Sequence, residues 1–560
     1  MEILVPTNNT HPANGDALYN IPVFGNVSLL HFTDCHAQLL PIYYREPSIN
    51  LGVHASTGQV PHLVGNALLH RFGIAPGSRN AYAYTHLDFC HAAQHFGKVG
   101  GFAHLATLIK QLKAGRPHAL LLDGGDSWQG SATALWTAGQ DMVEVALALG
   151  VEVMTGHWEF THGAKRVQHV VEHDFKDKLA FIAQNIVREE DGSSIFAPYV
   201  IREQNGVPVA IIGQAFPHTP KANGAQFTPD WAFGIGEARM QQLIIEVRSK
   251  GAQVVVLLSH NGMDIDLKLA SRVSGIDMIL GGHTHDGVPV PVIVSNSGGK
   301  TIVSNAGSHG KFLAVIDFDV KDGRVADYRY HLLPVFSDLL PADAEMQATI
   351  DRVRAPYLAQ LQEPLGEAQQ LLYRRGNFNG SWDQLIVDAL IQVNDAEIAF
   401  SPGFRWGTTL LPGQIITREH VMEQTAITYP DTSVVQMTGM EIKQNLEKLC
   451  DKIFNDDPYQ HQGGDMVRTG GLTYACEPGA KKGARISEMQ LSGKALEADK
   501  TYKVTRWGVG SAQAEGPPAW EVVETYLKNL AKPLTHTPNV PRLVGVTDNP
   551  GLDAETLEKK

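Results

Sequence analysis

Two histidines flank Thr284 in Gly282-His283-Thr284-His285, straight after the apolar run Asp277-Met278-Ile279-Leu280-Gly281. Histidines spaced i, i+2 behind a strand can both turn into one site. Three other segments repeat the form. Leu29-Leu30-His31-Phe32-Thr33 runs into Asp34-Cys35-His36, and Ala119-Leu120-Leu121-Leu122 runs into Asp123-Gly124-Gly125-Asp126. Val254-Val255-Val256-Leu257-Leu258 runs into Ser259-His260-Asn261. Carboxylates carry the charge that holds dications close together, and imidazoles suit first-row transition metals. Asp34, His36, Asp126, His260, His283 and His285 are too many donors for one four-coordinate ion. They suit two ions sharing a bridging carboxylate, the arrangement that activates water for in-line displacement.

The elements that must position these residues follow from pattern. Short continuous apolar runs are the signature of buried parallel strands. In open α/β sheets ligands gather at the carboxyl ends of such strands. Helical spacing over 101–112 precedes the strand at 119–122, and a second helix over 237–250 precedes the strand at 254–258. This alternation indicates a layered α/β fold. Val303 to Val320 reads as paired strands, with Asp322-Gly323 as a turn after them.

The expected organisation is an extended arm over 1–26, a catalytic domain over 27–338, a helical connector over 339–365, an α+β domain over 366–547 and a tail over 548–560 that is polar and frayed from Gly551. The connector is punctuated by Pro341-Ala342-Asp343 and Glu363-Pro364-Leu365-Gly366. The stretch 51–97, inside the catalytic domain, is rich in Gly, His, Asn and Tyr and has little periodicity. It reads either as a functional lid or as an insertion that packs down.

A chain of 560 residues is too long for one ordinary core. Its formal charge of −13 argues against nucleic acid as the main partner. No apolar run approaches the length of a membrane-spanning helix. The first residues, Met1-Glu2-Ile3-Leu4-Val5-Pro6, lack the pattern of a signal peptide, as in a cytoplasmic protein or a mature exported one. Four cysteines without CxxC spacing make no disulfide framework.

Together these motifs resemble the dimetal phosphoesterase superfamily and, within it, the 5′-nucleotidase family, from about Val27 to 545. The resemblance implies a four-layer α/β/β/α catalytic domain, a helical connector and a C-terminal substrate domain. It implies that Asp34, His36 and His285 hold one metal, that Asp126 bridges, and that His260 and His283 hold the other. One segment departs from the family. Where it reads Gly-Asn-His-Glu-Phe-Asp, this chain has Gly156-His157-Trp158-Glu159-Phe160-Thr161. His157 can replace the Asn as a metal ligand. Trp158 cannot replace the catalytic His, because an indole N–H donates but neither accepts nor carries a proton.

That variant is similar to the SoxB-type sulfate thiohydrolases, as are Thr33-Asp34-Cys35-His36-Ala37-Gln38-Leu39, 401–413 and Gly463-Gly464-Asp465-Met466-Val467-Arg468. The resemblance implies release of sulfate from a cysteine S-thiosulfonate on the C-terminal arm of a SoxYZ-like carrier protein, by a hydroxide activated on a dimetal centre. It implies a manganese pair, with zinc as the alternative, a place in thiosulfate oxidation and a periplasmic location. It also makes Arg405 the residue that recognises the anion, with Asp465 and Arg468 as further substrate-binding candidates, and gives Trp158 a place at the reacting group. A guanidinium fork matches a sulfonate well.

Two other functions compete: a 5′-nucleotidase-like phosphoesterase, and an inert metal-bound docking protein for the carrier. Val504-Thr505-Arg506-Trp507-Gly508-Val509-Gly510 lacks the Gly-Gly-Asp-Gly type of loop that goes with a nucleoside clamp. Asp123 is expected to support a ligand from behind. Cys35 is expected to point away from the site on an extended segment, buried and inert.

Overall fold

A computed structural model describes residues 18–508, 515–531 and 535–553. The arm over 1–17, Val509 and Gly510, and the tail beyond Asp553 lie outside the described residues. The chain divides into two compact units. The first comprises Met1–Ile42, Gly97–Gln129 and Trp136–Ala355; the second comprises Tyr43–Phe96, Gly130–Leu135 and Pro356–Lys560.

The first unit holds two six-stranded sheets with helices against them, the α/β/β/α layering that the resemblance implies. One sheet runs Arg324–Pro334, Phe312–Lys321, Val27–Phe32, Leu120–Asp123, Val153–Met154, Ala180–Phe181. The other runs Val292–Asn296, Gly299–Asn305, Met278–Gly281, Val254–Ser259, Val207–Gln214, Tyr199–Gln204. Every residue of Val27–Phe32, Leu120–Asp123, Val254–Ser259 and Met278–Gly281 is buried, which is why these strands read as continuous apolar runs. Burying each Val, Leu, Ile, Phe or Met side chain among them contributes about 1.5–3 kcal/mol.

The parallel registers align the strand ends. Phe32 pairs with Asp123 and Asp123 with Met154, while Gly281 pairs with Ser259. The loops that leave these ends therefore start level along one edge of each sheet. The helices Phe102–Gly115 and Glu237–Ser249 lie where their spacing predicts.

The expected pairing within 303–320 is corrected. Gly299–Asn305 belongs to one sheet and Phe312–Lys321 to the other, so the chain crosses between sheets at 306–311. Asp322 and Gly323 do form the turn, both with positive φ, but they join Phe312–Lys321 to Arg324–Pro334.

The second unit has two four-stranded sheets, with helices Ser381–Val393 and Gly439–Phe454 among their neighbours. Residues 51–96 of the insertion belong to this unit. They contain three short helices, Gly65–Phe72, Arg79–Tyr84 and Phe89–Phe96, and Ile49 and Leu51 join the same core as Ile398, Leu446 and Val504. Helices of six to eight residues are too short for periodicity to announce them.

The described part of the tail is not frayed, another correction. Gly551 and Asp553 pair with the backbone of Asn50 and Ser48, the Pro550 carbonyl accepts from Val64, and Asn549 Nδ2 donates to Gly52 O. His86 Nε2 lies 2.7 Å from Asp553 Oδ2. Burial and the nearby Arg45 nevertheless hold this imidazole down to about 4. Its folded value lies below the ordinary 6.5, so the unfolded chain takes up the proton first. The stability this site contributes is complete above pH 6.5 and is lost as pH falls through 4, about 3 kcal/mol in all. Thermal melts of the wild type and His86→Gln should therefore diverge at neutral pH and converge toward pH 4. Parallel melting curves across that range would contradict this.

Candidate metal centre

Three of the loops leaving site strands deliver their residues through left-handed backbone. Asp34, His36, Asp126, His283 and His285 have φ values of 53°, 46°, 59°, 73° and 60°. Left-handed conformations at non-glycine residues cost about 1–3 kcal/mol each and cluster where function demands them. They turn the chain so sharply that Asp34 and His36 face the same site. This also corrects the reasoning about Cys35: the segment is not extended. Cys35 is still buried, and burial with the nearby Asp123 and Asp34 pushes its thiol well up.

Two groups of four donors result. Asp34, His36, Asp126 and His285 form one, and Asp126, His157, His260 and His283 form the other; in each, the donor atoms lie within 4.8 Å of one another. All seven residues are buried, and Asp126 belongs to both groups. His157, the residue at the altered motif, thus sits with the others.

The donors fit cations. His36 Nδ1 faces Gln129 O at 3.2 Å, leaving Nε2 turned toward His285 Nε2 at 3.0 Å. His260 Nδ1 faces Gly124 O at 2.7 Å, leaving Nε2 3.0 Å from Asp126 Oδ2 and 3.7 Å from Asp34 Oδ1. His285 Nε2 lies 3.2 Å from Asp34 Oδ1. Lone pairs of imidazole and carboxylate turned on one another at these distances repel unless a cation lies among them. Burial disfavours a charged His260, yet Asp126 and Asp34 raise it to about 10, a measure of the demand for positive charge here. Burial likewise pushes Asp126 up, and His260 and His157 overcome it and hold its carboxyl well below the ordinary range.

Surrounding groups fix these donors. Asp123 accepts from Gly125 N and Ser127 Oγ, so it shapes the loop that carries Asp126. Glu159 is fully buried and braces two loops at once: one oxygen accepts from Ser127 N at 2.7 Å, the other from His157 N at 2.7 Å. Asp126 in turn accepts from Trp158 N at 2.8 Å. Phe216 stacks on His283 with ring centroids 4.0 Å apart. Glu159 lay within a motif visible in the sequence; Phe216 had no local signal.

Gly282 admits no side chain, because a Cβ there would sit 2.8 Å from Asp34 Oδ2, 3.2 Å from His260 Nδ1 and against the Thr33 hydroxyl. Gly282→Ala is expected to displace the Asp34 carboxylate and weaken binding of the ion it faces tenfold or more, read by calorimetric titration. Unchanged affinity would show that the loop yields without moving Asp34.

In the second unit Arg405 is held within a buried ionic network. Its Nε lies 3.2 Å from Asp465 Oδ1, its Nη2 donates to Gly464 O, and its carbonyl accepts from Tyr44 Oη. Arg468 bridges Asp465 and Asp383, and Arg374 meets Asp383 at 2.9 Å. Burial pushes the Asp465 carboxyl up, but Arg405, Arg468 and Arg375 pull it below its ordinary value. Arg468 and Asp465 are the weaker of the substrate-binding candidates. Their side chains have no exposed surface, so in this structure they hold Arg405 and its loop instead.

Trp507 Nε1 donates to Ser401 Oγ, and its ring meets Phe404 edge-on.

The C-terminal domain of 5′-nucleotidases matches residues 366–514. The 5′-nucleotidase of Bos taurus is 24% identical over 458 residues, covering 72% of this chain and 76% of its own. A 5′-nucleotidase precursor from Thermus thermophilus superimposes with a TM-score of 0.73 at 22% identity, covering 93% of this chain and 99% of its own, a likeness of fold. The Thermus thermophilus sulfate thiohydrolase SoxB, solved with glycerol, superimposes with a TM-score of 0.89 at 34% identity over 94% of this chain and 98% of its own. The chain belongs to the SoxB sulfate thiohydrolase family. It is therefore a hydrolase of the 5′-nucleotidase superfamily, with an Asp/His cluster able to hold two metal ions. Among the described residues no helix is long and apolar enough to cross a membrane.

Proposed function

We propose that the chain hydrolyses the terminal sulfonate from a cysteine S-thiosulfonate borne on the arm of a sulfur-carrier protein. In the reaction R–S–S–SO3⁻ + H2O → R–S–SH + SO4²⁻ + H⁺, the bond between the outer persulfide sulfur and the sulfonate sulfur breaks. Oxygen from water joins the sulfonate sulfur. The electron pair of the broken bond leaves with the persulfide.

The observation that carries this reading is Trp158, which follows an otherwise complete donor set. When bound, two divalent ions supply Lewis acidity to the sulfonate oxygens and lower the pKa of water. Asp34, His36, Asp126 and His285 would hold one ion; Asp126, His157, His260 and His283 would hold the other. What the altered motif lacks is the imidazole at 158 that would assist an alkoxide leaving group. A persulfide anion is far more stable than an alkoxide and needs less help. A sulfonate also carries less charge than a phosphate dianion and demands less positive complement. Trp158 is buried beside His157, ring centroids 5.8 Å apart, and gives the site an apolar wall.

Arg405, held rigid by Asp465, is the proposed anion-recognising residue of the second unit. Manganese is the proposed pair of ions, zinc the alternative, since the donors accept either. The place of action is thiosulfate oxidation in the periplasm. A phosphoesterase is the second reading, favoured by the match over 366–514. Mass spectrometry of the carrier-arm product decides which bond breaks. The reading requires loss of SO3 with the persulfide retained; a bare thiol product would contradict it.

A further inference from the structure

His157 stands where the wider superfamily has an amide, and an imidazole needs something an amide does not. It has two ring nitrogens, and only one can face the ion. In this chain Nδ1 lies 3.3 Å from both oxygens of Asp126, while Nε2 points the opposite way, 3.3 Å from Oδ1 of Asn223. Asn223 lies 66 positions further along the chain, at the end of the short helix Thr219–Asn223. It is 2% exposed, and its Nδ2 has no hydrogen-bond partner among the described residues. The amide is therefore placed for the one contact its oxygen makes.

The segment that carries Asn223 is itself fixed to the site. Phe216 N donates to Gly156 O, and the Phe216 ring lies 4.3 Å from the His157 ring, centroid to centroid. The Thr219 hydroxyl donates back to Phe216 O. His157 is thus walled by Phe216 on one face and met at its far nitrogen by Asn223.

We infer that Asn223 is a positioning residue that makes His157 a metal ligand. Its Oδ1 accepts a hydrogen bond from Nε2–H, which fixes the tautomer and leaves the Nδ1 lone pair for the ion shared with Asp126, His260 and His283. Metal-bound histidines are generally oriented this way by a partner on the other ring nitrogen, and removing that partner costs about 10- to 100-fold in affinity. The exchange of amide for imidazole at 157 and the presence of an acceptor at 223 form one device. The inference rests on the dimetal reading but not on the thiosulfonate substrate.

The test is a double-mutant cycle read by manganese(II) titration into chelator-stripped protein, followed by calorimetry and by the paramagnetic resonance of the ion pair. Asn223→Leu keeps the volume and removes the acceptor. It should weaken the second ion tenfold or more in the wild type. In a His157→Asn background it should change affinity less than twofold, because the shorter amide no longer reaches residue 223. Equal losses in both backgrounds, or none in the wild type, would overturn the inference. If Asn223→Leu fails to fold, Asn223→Asp serves, since it keeps the acceptor. It should bind two ions at least as tightly as the wild type, and loss of the second ion would overturn the inference. Sulfate release measured on the same samples separates the two claims. Coupling without sulfate release would remove the substrate reading alone; a wild type that binds one ion would remove the dimetal reading and this inference with it.

Discussion

Asp126→Ala is expected to lower sulfate release at least a thousandfold, about 4 kcal/mol of transition-state stabilisation. It is also expected to empty the site of both ions rather than one. Asp126 is the only carboxylate common to the two donor groups. It faces His260 Nε2 at 3.0 Å and His157 Nδ1 at 3.3 Å, and it also accepts from Trp158 N at 2.8 Å. Its removal would take the negative charge that both donor groups share and would untie the 157–158 loop as well. Asp126→Asn separates these effects, because the amide oxygen can still accept from Trp158 N while the charge is gone. Metal analysis of the gel-filtered variants should give fewer than one ion for alanine and an intermediate value for asparagine. Two ions retained in Asp126→Ala would show that the groups are independent, and the shared-carboxylate reading would fail.

The second large effect concerns chemistry rather than occupancy. Trp158→His should lower sulfate release tenfold or more and bring out phosphate release from AMP or a simple phosphomonoester where the wild type has little. General acid or electrostatic help from an imidazole contributes about 10²–10⁴ to such reactions. An alkoxide leaving group depends on that help, and a persulfide needs far less of it. The loss on the sulfur substrate follows from replacing a buried indole with a smaller, polar ring. Trp158→Phe is the control, keeping the apolar wall without the N–H, and should retain most sulfate release while gaining no phosphoesterase activity. Unchanged sulfate release with no new phosphate release in Trp158→His would show that the residue merely packs.

Much of the site was legible in the chain because the strands that carry it are buried on both faces. Leu120–Asp123 and Val254–Ser259 have no solvent side, so their sequences are unbroken apolar runs that end abruptly at the ligands. The six donors first read from these runs, together with His157, come together in two groups. What was not legible depends on distance or on conformation. The left-handed backbone at Asp34, His36, Asp126, His283 and His285 carries no pattern of its own. Glu159 sat in a motif already singled out, yet its bracing of two loops requires knowing that Ser127 and His157 are neighbours. Asn223 is joined to His157 only by folding. Arg468 and Asp465 attracted attention through a Gly-rich segment, and burial turned them into supports for Arg405. The helices of the insertion were not legible because they are shorter than the stretch of residues over which helical periodicity shows. The tail misled because composition says nothing of the contacts that Gly551 and Asp553 make with Asn50, Ser48 and His86.

The most direct test is sulfate release from a peptide ending in Gly-Gly-Cys-Gly-Gly, its cysteine charged with thiosulfonate, by manganese-loaded protein beside the same protein stripped by chelator. Sulfate should appear only with metal, with negligible phosphate released from AMP under the same conditions. Phosphate without sulfate, or neither product with the metal bound and the intact carrier supplied in place of the peptide, would contradict the thiohydrolase assignment.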